Sequence, residues 1–569
     1  MRFRQPLLLL FLLVVCLLVA CAENSSTKDG GKSESENENE NEVSSEPADP
    51  FGKYDETITI AIGQEVDPSD TSLQDGDTPL DNQYTRHVEE HLNIKVEHAF
   101  TASPSNYDQK VSLAIAGNDL PDAMVVGPVE LRQLVEADQI ADLTKVYENY
   151  ASPAIKEIID STDGVALDNV TFDGKIMAIP NSQAGADGVH NLWIRKDWLD
   201  KLELEVPKTI EELKKVTKAF VEQDPDGNGK DDTIGLAGPD TSNKLYANFI
   251  ESTNNLYGFD GIFSALHSYP GYWLKGEDGK PVYGSILPET KEALSVLRDM
   301  YSEGLIDQEM GVREDSGESI ISGKTGMFFG PFWMPYASLT DAVKNDPEAN
   351  WQSYALPLDA NGDFTPHLST TTTQYVVVRK DYEHPEAAMK ILNNLLAHES
   401  EFDPSKGGPG FYPLRLVYAP ADEMEVTTVA LREVLAGTKE PSDFYDMPAY
   451  KLLKSDVDTI HDVKLEPYDN TDIQYWDLDN LGQWTRAYSA LVGTAPLVDT
   501  EIKGVKSLIY SQTETMENRW VNLKKLEDEV FLKIIMGTEP LDAFDQFVKN
   551  WEKQGGEQIT EEVAEVVSE

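Results

Sequence analysis

The chain predicts an α/β protein, built either as two or three domains or as one large two-lobed body. Three observations lead there. Stretches rich in β-branched residues alternate with amphipathic helical stretches, the pattern of parallel α/β layers. Setting aside an apolar leader and a polar tether leaves roughly 520 residues, more than one hydrophobic core normally serves. At 40% hydrophobic and 9% aromatic residues, the chain can fill such cores.

The leader comes first. Arg2 and Arg4 precede the apolar run from Leu7 to Ala20, the length of a signal-peptide core and short for a bilayer span. The run ends in Leu18-Val19-Ala20-Cys21, which resembles the lipobox of bacterial lipoproteins. That resemblance makes residues 1–20 a signal peptide and Cys21 the lipidation site, and it implies a protein held on the extracellular face of the bacterial cell membrane. From Ala22 to Pro50 nearly every residue is Ser, Glu, Asn, Asp, Lys or Gly. Such a composition cannot bury apolar surface, so residues 21–54 are expected to act as a disordered acidic tether.

The formal net charge of −54 opposes partnership with nucleic acid or an anionic lipid surface. The two cysteines, Cys16 and Cys21, fall in the leader and the lipobox. The remainder therefore has no disulfide and no catalytic thiol.

Thr57–Ile62 alternates and is β-branched, so it predicts a strand. Tyr84, Val88 and Leu92 recur at helical spacing, as do Val111 and Ile115. Ala123–Val126 predicts a second strand, Val129–Ala137 a helix, and Ile176–Ile179 a third strand. Leu192–Ile194 begins a new unit. Thr209-Ile-Glu-Glu212 is a capping box that opens a helix. Glu289–Glu303 predicts a helix stopped by Gly304, Gln374–Val378 a strand, and Pro385 the start of another helix.

Asp224-Pro-Asp226-Gly-Asn228-Gly229-Lys230-Asp-Asp232 has the spacing of an EF-hand calcium loop. Oxygen ligands fall at positions 1, 3, 5 and 9, the Lys230 carbonyl at position 7, and Gly229 at the sharp turn. The bidentate Glu of position 12 is replaced by Gly235. A bound Ca2+ here is expected to be structural. His87-Val-Glu-Glu-His91 matches the H-x-x-E-H pattern of some zinc peptidases, but so short a match in so acidic a chain reads as a solvated helix face. Tryptophans in polar contexts, Trp193, Trp333, Trp476 and Trp484 among them, suit stacking on sugar rings, with core packing the competing role for each. Trp333, in Gly330-Pro-Phe-Trp-Met-Pro335, lies in a loop at a strand end.

Four stretches together carry a family resemblance: Leu192–Leu202 with Val206–Thr209, the calcium-type loop, Lys280–Ser285 through Tyr301–Asp307, and Gly326–Pro335. With the lipobox they resemble the extracellular solute-binding lipoproteins of ABC importers, family 1, of the oligosaccharide type with an EF-hand-like calcium loop. The resemblance implies a two-lobed periplasmic-binding-protein-like fold with a hinge. Lobe 1 would take residues 55–184 and 355–408, and lobe 2 residues 185–354 and 409–569. Crossings are expected near 183–191, 354–358 and 409–412. It implies a monomer that captures an oligosaccharide and passes it to two permease subunits and an ATPase, without catalysis. Trp333 is then the leading stacking residue, followed by Trp484 and Trp476. Arg195, Gln183, Asp122 and Trp193 are polar or aromatic companions, and Asp224, Asp226, Asn228, Lys230 and Asp232 are the metal ligands. A binding protein for peptides or another solute, or an exported carbohydrate-active enzyme, is the alternative reading.

Overall fold

The computed structural model describes residues 48–67, 70, 72–241, 244–250, 255–403, 406–461 and 480–568. Cys21 and Trp476 lie outside these residues. In the first lobe, strands β1 (Ile58–Glu65), β2 (Ile94–Ala102) and β3 (Ala123–Val126) are parallel. They are connected through helices α1 (Gln83–Leu92) and α2 (Pro104–Gly117), and α3 (Pro128–Glu136) follows β3. Asn82 caps α1, accepting from the backbone N–H groups of Tyr84 and Thr85. The helical spacing seen in the sequence buries Tyr84, Val88 and Leu92. A small hairpin, β4 (Thr171–Phe172) and β5 (Lys175–Ile176), precedes β6 (Ile179–Pro180). The single strand expected over 176–179 is thus split, half in the hairpin and half in the main sheet.

The chain then enters the second lobe through β7 (Asn191–Arg195). Strands β8 (Ile234–Leu236), β9 (Trp273–Lys275), β10 (Pro281–Tyr283), β11 (Thr325–Gly330), β12 (Trp351–Tyr354) and β13 (His367–Leu368) follow. Four of these form a sheet in the order β12-β7-β11-β8, with β11 parallel to β8 and antiparallel to β7. The Thr209/Glu212 capping box opens the helix Ile210–Glu222 as its sequence requires. Strand β14 (Tyr375–Val378) returns to the first lobe and completes the order β2-β1-β3-β14-β6. Strand β15 (Val505–Lys506) pairs with β13, and three helices beginning at Glu514 close the second lobe.

The central strands β3, β7, β11 and β14 are covered on both faces and are buried almost throughout, whereas β2 at the sheet edge alternates buried and exposed residues. On β7, Leu192 and Ile194 enter one core while Trp193 enters the other. On β14, Val376 and Val378 face one core of the first lobe, Tyr375 and Val377 the other.

Three segments cross between the lobes. The first follows β6: Ser182 and Gln183 donate to the carbonyls of Val417 and Thr371, and Gly185 donates to that of Ala421. The second crossing lies at 369–374, not at 354–358, because the chain stays on the second lobe through β13. The third lies near 418–421, later than the expected 409–412. Phe411, Leu414, Leu416 and Tyr418 all pack in a first-lobe core, so this stretch corrects the assignment of 409–569 to the second lobe. Glycine is needed where the crossings meet. A Cβ on Gly188 would run into Ser369 of the second crossing, and one on Gly185 would press on the Ala421 carbonyl of the third.

Candidate functional site

In open α/β sheets ligands bind beyond the carboxyl ends of the parallel strands. In the first lobe those ends are Gly63–Glu65 of β1 and Val126–Gly127 after β3. A crevice of about 380 Å³ opens there. Tyr107 braces it, its hydroxyl donating toward the carbonyls of Val125 (3.0 Å) and Gly63 (3.3 Å). Gln64 is 5% exposed; its Oε1 pairs with His98 at 2.7 Å and its Nε2 reaches the Tyr412 carbonyl. Glu130, in the first turn of α3, also lines the crevice, and burial raises its carboxyl pKa. Arg415 and Tyr412 form the far wall.

A second crevice of similar size flanks α3 and is lined by both lobes. Arg132 and Phe172 come from the first lobe, Tyr510 and Ser511 from the second. Arg132 Nη2 donates to Ser511 Oγ at 3.1 Å, and Gln133 Nε2 donates to Glu517 Oε1 at 3.2 Å. These two bonds join α3 to the second lobe directly.

On the second lobe, Trp333 follows the carboxyl end of β11, which points toward the crossings. It is half-buried and packs on a core with its neighbours Phe332 and Met334. Tyr336, three residues on, is 52% exposed. The loop is held tightly from behind: the Phe332 carbonyl sits against Gly493, where any Cβ would collide with it, and the Asn191 side-chain amide donates to the Gly493 carbonyl at 2.8 Å. Beside it, Arg486 pairs with Asp456 at 3.0 Å and Glu423 at 3.5 Å. Burial pushes the Asp456 carboxyl up to about 6 despite that guanidinium. Asp187, in the first crossing, and Glu425, in the helix Glu423–Leu435, are each pushed up to about 7, mainly by burial and further by neighbouring carboxylates. Glu425 Oε2 has no hydrogen-bond partner among the described residues.

The structure therefore sorts the residues singled out in the sequence. Trp333 stands in the loop after the carboxyl end of β11, and Gln183 in the first crossing, both half-buried. The others are placed elsewhere. Trp193 is fully buried, its indole N–H donating to the Pro331 carbonyl at 3.2 Å, because the sheet it belongs to has no open face. Trp484 is fully buried and stacked on Tyr488 at 5.3 Å. Arg195 ends β7 on the side away from the crossings; it is bound to Asp197 at 2.6 Å and Asp346 at 3.1 Å. Asp122 begins β3, at the opposite end from the crevice. It accepts from the Ala61 N–H at 2.8 Å and pairs with Arg379 at 2.7 Å. These four correct the expectation that they meet a ligand. Asp187, Glu425, Arg132 and Tyr336 were missed, since nothing in their local sequence marks them.

In the loop from Asp224 to Asp232, Asp224 Oδ2 accepts from the Gly229 N–H at 3.0 Å, while its buried Oδ1 has no partner among the described residues. The Asn228 amide donates to Asp226 (2.6 Å) and Asp232 (2.9 Å), and Lys324 pairs with Asp232 at 3.0 Å. Among the described residues no three His, Cys, Asp or Glu side chains are arranged around one metal position. The oxygen-rich donor set and the orphaned Asp224 oxygen do suit a hard cation once the Asn228 amide turns over. A Cβ on Gly235 would strike Thr217, and Thr233 Oγ1 donates to the Phe220 carbonyl at 2.8 Å. The rings of His87 and His91 stack at 3.9 Å, with His398 4.8 Å from His87.

The model of the bacterial extracellular solute-binding protein family matches residues 78–401, more than half of the chain. The chain belongs to that family. It is 24% identical over 527 residues to the polygalacturonan/rhamnogalacturonan-binding protein YtcQ of Bacillus subtilis (strain 168), covering 86% of this chain and 88% of that one. It is 29% identical over 266 residues to the fructooligosaccharide ABC transporter substrate-binding protein FusA of Streptococcus pneumoniae, covering 44% of this chain and 46% of that protein. Among solved structures it superposes on a human-milk-oligosaccharide-binding, ABC-transporter-associated solute-binding protein of Bifidobacterium longum infantis with a TM-score of 0.59. The identity there is 16%, covering 90% of this chain and 98% of that one. The shared fold is that of a two-lobed solute-binding protein.

Proposed function

We propose that this solute-binding protein captures an oligosaccharide outside the cell for an ABC importer and releases it chemically unchanged. The observation that carries the reading is the pair of crevices at the carboxyl edge of the first lobe, one of them lined by both lobes. Three crossing segments can act there as a hinge. The site residues suit a sugar: aromatic faces for pyranose C–H surfaces, and amides, carboxylates and a guanidinium for hydroxyls. Near full-length similarity to YtcQ supports the same class of ligand. Trp333, with Tyr336 beside it, is the stacking platform of the second lobe, and Gln183 a polar contact at the hinge. In this reading Cys21 carries a lipid that tethers the protein to the membrane, and two permease subunits and an ATPase complete the importer. Among the described residues no helix is long and apolar enough to cross a membrane. Ca2+ held by Asp224, Asp226, Asn228, the Lys230 carbonyl and Asp232 would brace the second lobe.

A thermal-shift screen of the protein against oligosaccharides and peptides, with the added compound recovered and analysed, tests this. Stabilisation by an oligosaccharide that is recovered intact is expected. Stabilisation by peptides alone would move the function to another solute, and a consumed sugar would make the protein an enzyme.

A further inference from the structure

Arginine in so acidic a chain is rarely without a carboxylate. Arg86, Arg195, Arg313, Arg379, Arg432 and Arg486 each pair with Asp or Glu. Arg298 and Arg519 donate to backbone carbonyls at 2.6 and 3.2 Å. Among the described residues Arg132 and Arg415 form no ion pair; Arg415 is exposed in the wall of the first-lobe crevice, whereas Arg132 stands in the crevice lined by both lobes. Arg132 is half-buried there, and among the described residues it spends a single N–H of its five, on Ser511 Oγ. The carboxylate that shares the crevice, Asp168, is exposed and forms no ion pair with it.

A guanidinium held between two lobes loses hydration as they close, and that loss is offset only by an anion arriving with good geometry. Its planar fork matches a carboxylate bidentately. Phe172 and Tyr510 line the same crevice, one from each lobe, as does Asn169. Ring faces, an amide and an unspent guanidinium together fit a sugar ring that carries a carboxylate.

We propose that Arg132 is a specificity-determining residue that selects a uronate-bearing oligosaccharide. Because its hydrogen-bond partner Ser511 belongs to the other lobe, a carboxylate bound there bridges both lobes and favours closure. This rests on the capture function proposed above and narrows its ligand.

The test is isothermal titration calorimetry of the whole protein with tetragalacturonate, tetramannuronate, their methyl esters, and the neutral 1-kestose. At least one free acid should bind about tenfold or more tighter than its own ester, and added salt should erode the difference. Arg132→Met should lower affinity for the acid by about tenfold while leaving the ester unaffected, and Arg132→Lys should fall between, because it keeps charge but loses the fork. Melting temperatures of the variants show that they fold. Esters binding as tightly as acids, or an acid preference that survives Arg132→Met, overturns the role of Arg132. Binding of 1-kestose without either uronate overturns the uronate class and leaves oligosaccharide capture standing. Binding of no sugar at all overturns both.

Discussion

Asp187 and Glu425 show how burial, helped by neighbouring carboxylates, alters a residue. Each carboxyl is pushed up to about 7 by a site with little water, while an unfolded carboxyl titrates near 4. The folded protein therefore holds more protons than the unfolded chain between those values. Any stability these groups confer is complete below about 4 and is lost as pH rises through about 7. Melting temperature should fall between about pH 5 and 8, and Asp187→Asn with Glu425→Gln should flatten that fall by about 2 °C or more. Calorimetric scans across that range decide it; an unchanged slope would mean other groups dominate. Trp333 is the second case. Replacement by Ala should weaken oligosaccharide affinity more than about tenfold, a loss of one aromatic face, with folding retained as judged by circular dichroism. Equal affinity would remove it from the site.

Among elements, the crossings are the most constrained. Gly188→Val places two methyl groups against Ser369, so the first and second crossings must separate. The expected result is a lower melting temperature together with weaker ligand binding, whereas Gly362→Val, at a turn with open space around its Cβ position, should cost only backbone strain. Unimpaired binding in Gly188→Val would show that contact between the crossings is dispensable. The loop from Asp224 to Asp232 makes the other element-level prediction. With Ca2+ bound to the folded state only, EDTA should lower the melting temperature and excess Ca2+ restore it. An EDTA-insensitive transition would leave the loop as a turn held by the Asn228 amide and by Lys324.

Across the whole molecule, capture should draw the two lobes together, and small-angle scattering should record a smaller radius of gyration with ligand than without. Strand and helix periodicity, the capping box at Thr209 and Glu212, and the α/β class all follow from neighbours in the chain, because propensity and patterning act over a few residues. The family and the strand-end position of Trp333 could also be read there. What the chain alone misassigned was burial. Trp193 and Trp484 are both fully enclosed: Trp193 because its sheet is covered on both faces, and Trp484 because its helix, Leu481–Tyr488, turns that face into the core, where it stacks on Tyr488. Asp122 and Arg195 lie at the wrong ends of their strands, a matter of strand direction. The third crossing moved because 411–418 joins a core more than 200 residues away in sequence from much of its packing. Arg132, Asp187 and Glu425 owe their importance to partners on other segments or to the absence of one. Local pattern determines which element a residue enters; only the packing of distant segments determines which groups lose their water, and that loss is what makes a binding site.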